Sequence, residues 1–215
     1  MESVSRKSGQ SSAEAVEAIR QAIRSGELLP GMHLKQAEWA LRLGISRVPV
    51  REALGILEAE GILVHEPHQG FAVAVLSESE IRQLYLLRRL IDREIAAALV
   101  WPDAPALAAL RRLEQAAEDA IAQNDAARWL SCNDRFVLGV YALCPQEILV
   151  GEAVKLWRRT ETVRSGRVRY EWTALNPEAI RQTVSRILTM LESRDRAGLK
   201  AAFARLTRLP GRGAR

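Results

Sequence analysis

At 215 residues the chain is long enough for one large or two small domains, and its 48% hydrophobic content excludes a disordered chain. Only 5% of residues are aromatic, while Ala, Leu, Arg and Glu abound, which is a mostly helical composition. A net charge of +5 and a pI of 9.7 suggest nucleic acid, yet residues 1–75 carry eight Lys or Arg against nine Asp or Glu, and residues 76–215 carry twenty-three against seventeen. A DNA argument must therefore rest on local geometry rather than on bulk charge.

The N-terminus has no apolar leader core, and the longest uninterrupted apolar run, "IAAALVW" at 95–101, is far too short to span a bilayer. A cytoplasmic, nucleoid-associated protein with no membrane partner is expected. Cys132 and Cys144 indicate neither a disulfide framework nor a thiolate zinc site; they read as two buried or half-exposed thiols.

In chain order, residues 1–11 read as disordered. A helix over 13–25 follows, with Val16, Ile19, Ala22 and Ile23 at helical spacing, Ser11 and Glu14 as a capping box and Gly26 as its stop. "LLPGMHL" reads as a turn, and "KQAEWALRLG" as a short helix with Ala37, Ala40 and Leu41 inward, ended by Gly44. Ser46 then caps a second helix, with Pro49 in its first turn and Val50, Ala53, Leu54 and Leu57 as its buried stripe. From Gly61 the period changes to two: "ILVHE", the turn "PHQG" and "FAVAV" form a β-hairpin. This order, over residues 12–76, is that of a winged helix-turn-helix.

At "LSESEI" a second capping box, Ser77 and Glu80, opens an all-helical domain over 77–209, followed by a frayed tail at 210–215. Six antiparallel helices are predicted, at about 78–100, 103–123, 125–143, 146–170, 176–193 and 195–208. The fold class is thus mainly α, an N-terminal winged helix-turn-helix with a C-terminal six-helix bundle.

Arg47 and Arg51 lie one turn apart at the start of the second helix, where the backbone dipole is already positive. Cations belong there if the partner is anionic: a recognition helix enters the major groove by its N-terminal half, and an arginine pairs bidentately with guanine. Ser46 and the free first-turn N–H groups suit a phosphate. The hairpin tip, His68, Gln69 and Gly70, is placed to reach the minor groove or backbone. The plainer reading makes the two arginines surface charges paired with Glu52 or Glu58.

The segment "IRSGELLPGMHLKQAEWALRLGISRVPVREALGILEAEGILVHEPHQGFAV" resembles the DNA-binding domain of the GntR family of bacterial transcription regulators. The shared pattern is "G-x-L-x-P-G", then "S-R-x-P-V-R-E-A-L-x-x-L-x-x-E-G-I", then a glycine-tipped wing. The resemblance implies a homodimer on a palindromic DNA operator, with Ser46, Arg47 and Arg51 in DNA-reading positions. Two departures stand out. Gln36-Ala37 replaces a frequent Glu-Arg, and Val48 replaces a frequent Thr, which leaves affinity to Arg47, Arg51 and Lys35.

The helical part resembles the effector domain of the FadR subgroup: Arg88-x-x-Ile91-Asp92 fits "R-x-x-L-E", and six helices point to its shorter, VanR-like branch. Many members hold a divalent metal with one Asp and three His, and through it a small carboxylate. The same resemblance puts Asn133, Val137, Val184 and Leu206 at those four positions, where Asn is a weak neutral donor and Val and Leu offer no lone pair, so the set cannot hold the metal. His33, His65 and His68, the only histidines, all precede the bundle. A metal-free domain without cofactor is expected, its centre being either an apolar-walled cavity for a hydrophobic or acyl-type effector, lined by Arg88 and those four residues, or a filled core. Trp129 and Trp157 read as core, and the basic run 155–170 as a solvated helix face.

The function this implies is a sequence-specific, ligand-responsive repressor acting as a homodimer. Three rivals are a constitutive regulator with a vestigial pocket, an interaction module that has lost DNA binding, and a helical enzyme. For the last the chain offers no nucleophile-and-base motif and no metal set.

Overall fold

The structure, a computed structural model, describes residues 2–172 and 177–206, and the side chains of 11–169, 172, 182 and 184–206. Backbone contacts divide the chain into two units, Met1–Leu76 with Arg158–Gly166, and Ser77–Trp157 with Arg167–Arg215.

The first unit is built from α1 (Glu2–Ser25), β1 (His33–Leu34), α2 (Gln36–Leu43), α3 (Arg47–Ala59), β2 (Leu63–Glu66) and β3 (Gly70–Val73). The stripe of α3, Val50, Ala53, Leu54 and Leu57, is fully buried, and Val50, Leu54 and Leu57 share one core with Ile19 and Ile23 of α1 and with Leu34, Ile62 and Val73. The strands form an antiparallel sheet of order β1-β3-β2, registered through Leu34 with Phe71 and His65 with Phe71. Gly44 ends α2 in the left-handed conformation that the expected stop requires.

Three expectations need correction here. Residues 1–11 were expected to be disordered, but α1 begins at Glu2, so Ser11 lies inside a helix and is no cap; no Pro or Gly-rich break separates this segment from the amphipathic turns that follow. The "turn" after Gly26 contains β1, two residues whose strand character comes from pairing with β3 rather than from local pattern. In α2 the buried face is Trp39 and Ala40, whereas Ala37 and Leu41 are exposed. The larger Trp ring wins the core position, which turns Leu41 outward.

The second unit holds α4 (Glu78–Ala98), α5 (Ala104–Ala122), α6 (Ala126–Tyr141), α7 (Glu147–Arg159) as far as Trp157, the second half of α8 (Glu161–Trp172), α9 (Pro177–Glu192) and α10 (Arg196–Leu206). The Ser77–Glu80 capping box is formed at both ends, Glu80 N–H donating to Ser77 Oγ at 3.2 Å and Ser77 N–H to Glu80 Oε2 at 2.8 Å. Asp103 and Asp125 cap α5 and α6, each accepting a backbone N–H at 2.9 Å. The last carbonyls of α4 are served from α10, where Arg196 Nη1 donates to the oxygens of Ala96 and Leu99 at 3.0 and 2.8 Å.

Among the described residues the helices after Leu76 number seven, not six, because the segment read as one helix over 146–170 breaks at Thr160. Thr160 is fully buried and its Oγ1 accepts from Arg164 Nη1 at 2.9 Å. Neither Pro nor Gly marks the break, so the helical periodicity runs through it. The helix count therefore gives no support to the shorter, VanR-like branch. The tail at 210–215 lies outside the described residues.

Candidate nucleic-acid interface and bundle centre

α3 presents one face to the core and the other outward. Arg47, Val48, Arg51 and Glu52 are exposed on the side away from the buried stripe, and Ser46 precedes them at the N-cap position. Ser46 makes no side-chain cap bond, and no acid occupies the first turn of α3. This helix start therefore keeps both its orphan N–H groups and its positive dipole end unmatched by the protein. Neither Arg47 nor Arg51 pairs with Glu52 or Glu58.

The other cations of residues 11–76 behave differently. Lys35, at the N-cap position of α2, is bound to Glu38 at 2.9 Å. Arg42 is held by Glu27, one of its two bonds measuring 2.9 Å, and lies 4.7 Å from the Trp39 ring centre; these bonds pull the Glu27 carboxyl below its ordinary range. Arg20 pairs with Glu60 and Glu161, and Arg24 with Glu17 at 2.7 Å and Glu161 at 3.0 Å. Of the six Lys and Arg side chains described between 11 and 76, only Arg47 and Arg51 lack a carboxylate partner.

The wing places His68 and Gln69 at an exposed tip and Gly70 at the start of β3. Gln69 N–H donates to the Glu66 carbonyl at 3.1 Å, and both His68 (φ 66°) and Gly70 (φ 88°) are left-handed. Ser46, Arg47, Val48, Arg51, Lys35 and the wing residues all lie in the first unit, on exposed or half-exposed positions.

In the bundle, Val137 and Val184 are buried in the main apolar cluster with Tyr141, Trp157 and Phe203, and Leu206 packs against it. Arg88 is 1% exposed, its guanidinium carbon 4.4 Å from the Trp157 ring centre and 5.0 Å from that of Tyr85. Asn133 is buried one turn before Val137, and its Oδ1 has no hydrogen-bond partner among the described residues. The centre thus joins Arg88, Val137, Val184 and Leu206, with Asn133 beside Asp134.

Four partners that carry the polar contacts of this centre were not singled out from the sequence as site residues. Tyr141 Oη donates to Asp92 Oδ1 at 2.6 Å, and Trp157 Nε1 donates to Asp134 Oδ1 at 2.9 Å. Burial pushes the Asp92 carboxyl up to about 6, against the opposing pull of the Arg88 charge and the Tyr141 hydrogen bond. Asp92 lay within the "R-x-x-L-E" match and offered a signal; the pairs themselves, 49 and 23 residues apart, leave none. Trp129 sits in a separate cluster with Cys132 and Trp172, and burial raises the Cys132 thiol, which keeps it protonated and unreactive.

Within the run 155–170, Lys155 and Arg159 are exposed, but its middle is not the solvated face expected. Thr160, Glu161, Thr162, Arg164 and Ser165 are all buried, because Glu161 meets Arg20 and Arg24 inside the first unit. A metal held as in the FadR subgroup does not fit either: the positions for its donors carry Asn133, Val137, Val184 and Leu206, and two of these are buried aliphatics with no lone pair.

Residues 11–73 match the family described as bacterial regulatory proteins, gntR family, and residues 83–208 match the FCD domain. The chain is 34% identical over 126 residues to an uncharacterized HTH-type transcriptional regulator of the TAR-I ttuE-ttuC' intergenic region in Agrobacterium vitis, covering 57% of this chain and 74% of that one. It is 27% identical to the HTH-type transcriptional regulator McbR of Escherichia coli, covering 87% of this chain and 85% of the relative. The solved structure of E. coli McbR/YncC shares the fold, with a TM-score of 0.76 at 24% identity over 92% of this chain and 93% of that one. A GntR regulator from Rhodococcus sp. RHA1 gives 0.72 at 19% identity over 91% and 93%. With both domain types matched in order along one chain, the protein belongs to the gntR family of bacterial regulatory proteins, carries an FCD domain after its helix-turn-helix, and is a DNA-binding transcription regulator.

Proposed function

We propose that the protein is a ligand-responsive repressor that binds a palindromic operator as a homodimer, reading bases with Arg47 and Arg51 and gripping phosphate with Ser46, Lys35 and the wing residues His68, Gln69 and Gly70. The observation that carries this reading is the pair of arginines left without carboxylates on the outward face of α3, where an anionic duplex is the missing partner. Val48 lines the same face as an apolar contact for a thymine methyl. The dimer is supported by Leu86, Leu87 and Leu90, 45–48% exposed and clustered within a turn of α4, an apolar strip for a second copy to cover. The sensing step is a population shift, in which effector favours a dimer arrangement whose recognition helices no longer match successive major grooves. The protein acts in the cytoplasm, and no helix among the described residues is long and apolar enough to cross a membrane.

The effector in this reading is an apolar or acyl-type molecule bound without metal, a reading supported by the aliphatic side chains of Val137 and Val184. Elemental analysis of protein purified without chelator should find no stoichiometric zinc, nickel or manganese; one bound equivalent overturns this part. A second reading, a constitutive regulator with a closed centre, is favoured by the depth at which Val137 and Val184 are packed, 1% and 3% exposed.

The DNA reading is tested with a duplex selected from a random library by the full chain. Arg47→Ala and Arg51→Ala should each lose about 1–3 kcal/mol of binding, read by fluorescence anisotropy. Equal affinity of both variants and the wild type would remove α3 from the interface.

A further inference from the structure

Inside the first unit an alternating chain of charges runs Arg158, Glu60, Arg20, Glu161, Arg24, Glu17, each paired with the next. Its middle is buried, with the side chains of Arg20, Glu60, Glu161 and Arg24 at 8, 12, 3 and 7% exposure. Glu60 is the C-cap residue of α3, the helix that carries Arg47 and Arg51. Arg158 and Glu161 flank Thr160, where α7 breaks and α8 begins. The same corner touches the turn after α3: a Cβ on Gly61 would lie 3.2 Å from the Arg159 side chain, and Gly61 is left-handed at φ 72°. A buried pair of charges is costly unless its geometry is held, so this chain fixes the end of α3 against the corner at 158–161 rather than merely decorating it.

Sequence continuity gives the corner its second attachment. Arg158 follows Trp157 directly, and Trp157 is the bundle residue that meets Asp134, Arg88 and Tyr141. We propose that Glu60, Arg20 and Glu161 are positioning residues for the recognition helix, converting a displacement of Trp157 and the α7–α8 corner into a displacement of the C-terminal end of α3. The inference rests on the reading of the bundle as a sensor, and it names the route by which the sensor would act.

The test is a double-mutant cycle on affinity for the selected duplex, with full-length protein. Trp157→Phe, which deletes the donor to Asp134, should change Kd by about threefold or more in the otherwise unaltered chain, and by less than about twofold when combined with Glu161→Gln or Arg158→Ala. Arg158 is the milder partner, since its side chain is 42% exposed and Glu60 retains Arg20. Asp134→Asn replaces Trp157→Phe if the latter loses its helical circular dichroism. The same Kd change in every background, or none in the unaltered chain, overturns the proposal, because a merely structural network alters stability without altering that coupling. Failure of the unaltered chain to select any duplex would instead overturn the DNA reading itself.

Discussion

Arg51 and Arg88 are the same side chain under opposite constraints. Arg51 stands exposed on α3 with no carboxylate partner, whereas Arg88 is 1% exposed on α4, stacked on Trp157 and Tyr85, with Asp92 one turn on. A guanidinium left in water retains its full capacity to bind an incoming anion, since nothing in the protein competes for its donors. The Arg88 guanidinium is instead held away from water between the Trp157 and Tyr85 rings. The outward face of α3 leaves its cations open to an anionic partner, whereas the bundle centre holds its cation away from solvent.

The largest test of this contrast lies in the centre. Asp92 is held near 6, above the ordinary aspartate value of about 3.9, so the folded state binds its proton more tightly than the unfolded chain does. Its contribution to stability is fully present below about pH 4 and is lost as pH rises through 6, a change on the order of 3 kcal/mol. Urea unfolding at intervals from pH 4 to 7 should show that fall, and Asp92→Asn should flatten it. Parallel curves for the two proteins would mean that the carboxyl is hydrated and the centre open.

The recognition face should respond in the reverse manner. Arg51→Ala is expected to leave unfolding stability within about 0.5 kcal/mol of the parent, since it removes no buried contact, while affinity falls by about 1–3 kcal/mol. Stability that drops with affinity would show that Arg51 serves the fold and would erase the distinction from Arg88.

The two regions also differed in how far the sequence disclosed them. The stripe of α3 and the exposed positions between its members follow from a period of 3.6 punctuated by Gly44 and Gly61, so Arg47, Val48 and Arg51 could be placed before any coordinates. The two residues of β1 could not, because only pairing with β3 makes them a strand. Trp39 outcompeted Leu41 for the core by ring size, which a hydropathy pattern does not weigh. In the bundle, Val137 and Val184 stand out as positions without a donor atom only through the family resemblance. The bonds from Tyr141 to Asp92 and from Trp157 to Asp134 join helices far apart in the chain, and nothing local announces them. Glu161 is the one acid in a run of six cations, yet its partners Arg20 and Arg24 lie outside that run, so the sequence around it does not point to them.

The smallest expected effect separates shape from charge at the wing. Gly70 adopts φ 88°, and a Cβ there would meet no atom within 4 Å, so Gly70→Ala perturbs the backbone and nothing else. An L-residue in that conformation costs about 1–2 kcal/mol, which should appear as a lower urea midpoint with an unchanged slope. His68, two residues earlier, already adopts φ 66°, a conformation that hairpin turns commonly require. If the wing contacts DNA, Gly70→Ala should also weaken duplex binding, and by less than Arg51→Ala, because phosphate contacts position the protein while base contacts select the site. Binding that stays equal to the parent's while stability falls would confine recognition to α3 and leave the wing a purely structural hairpin.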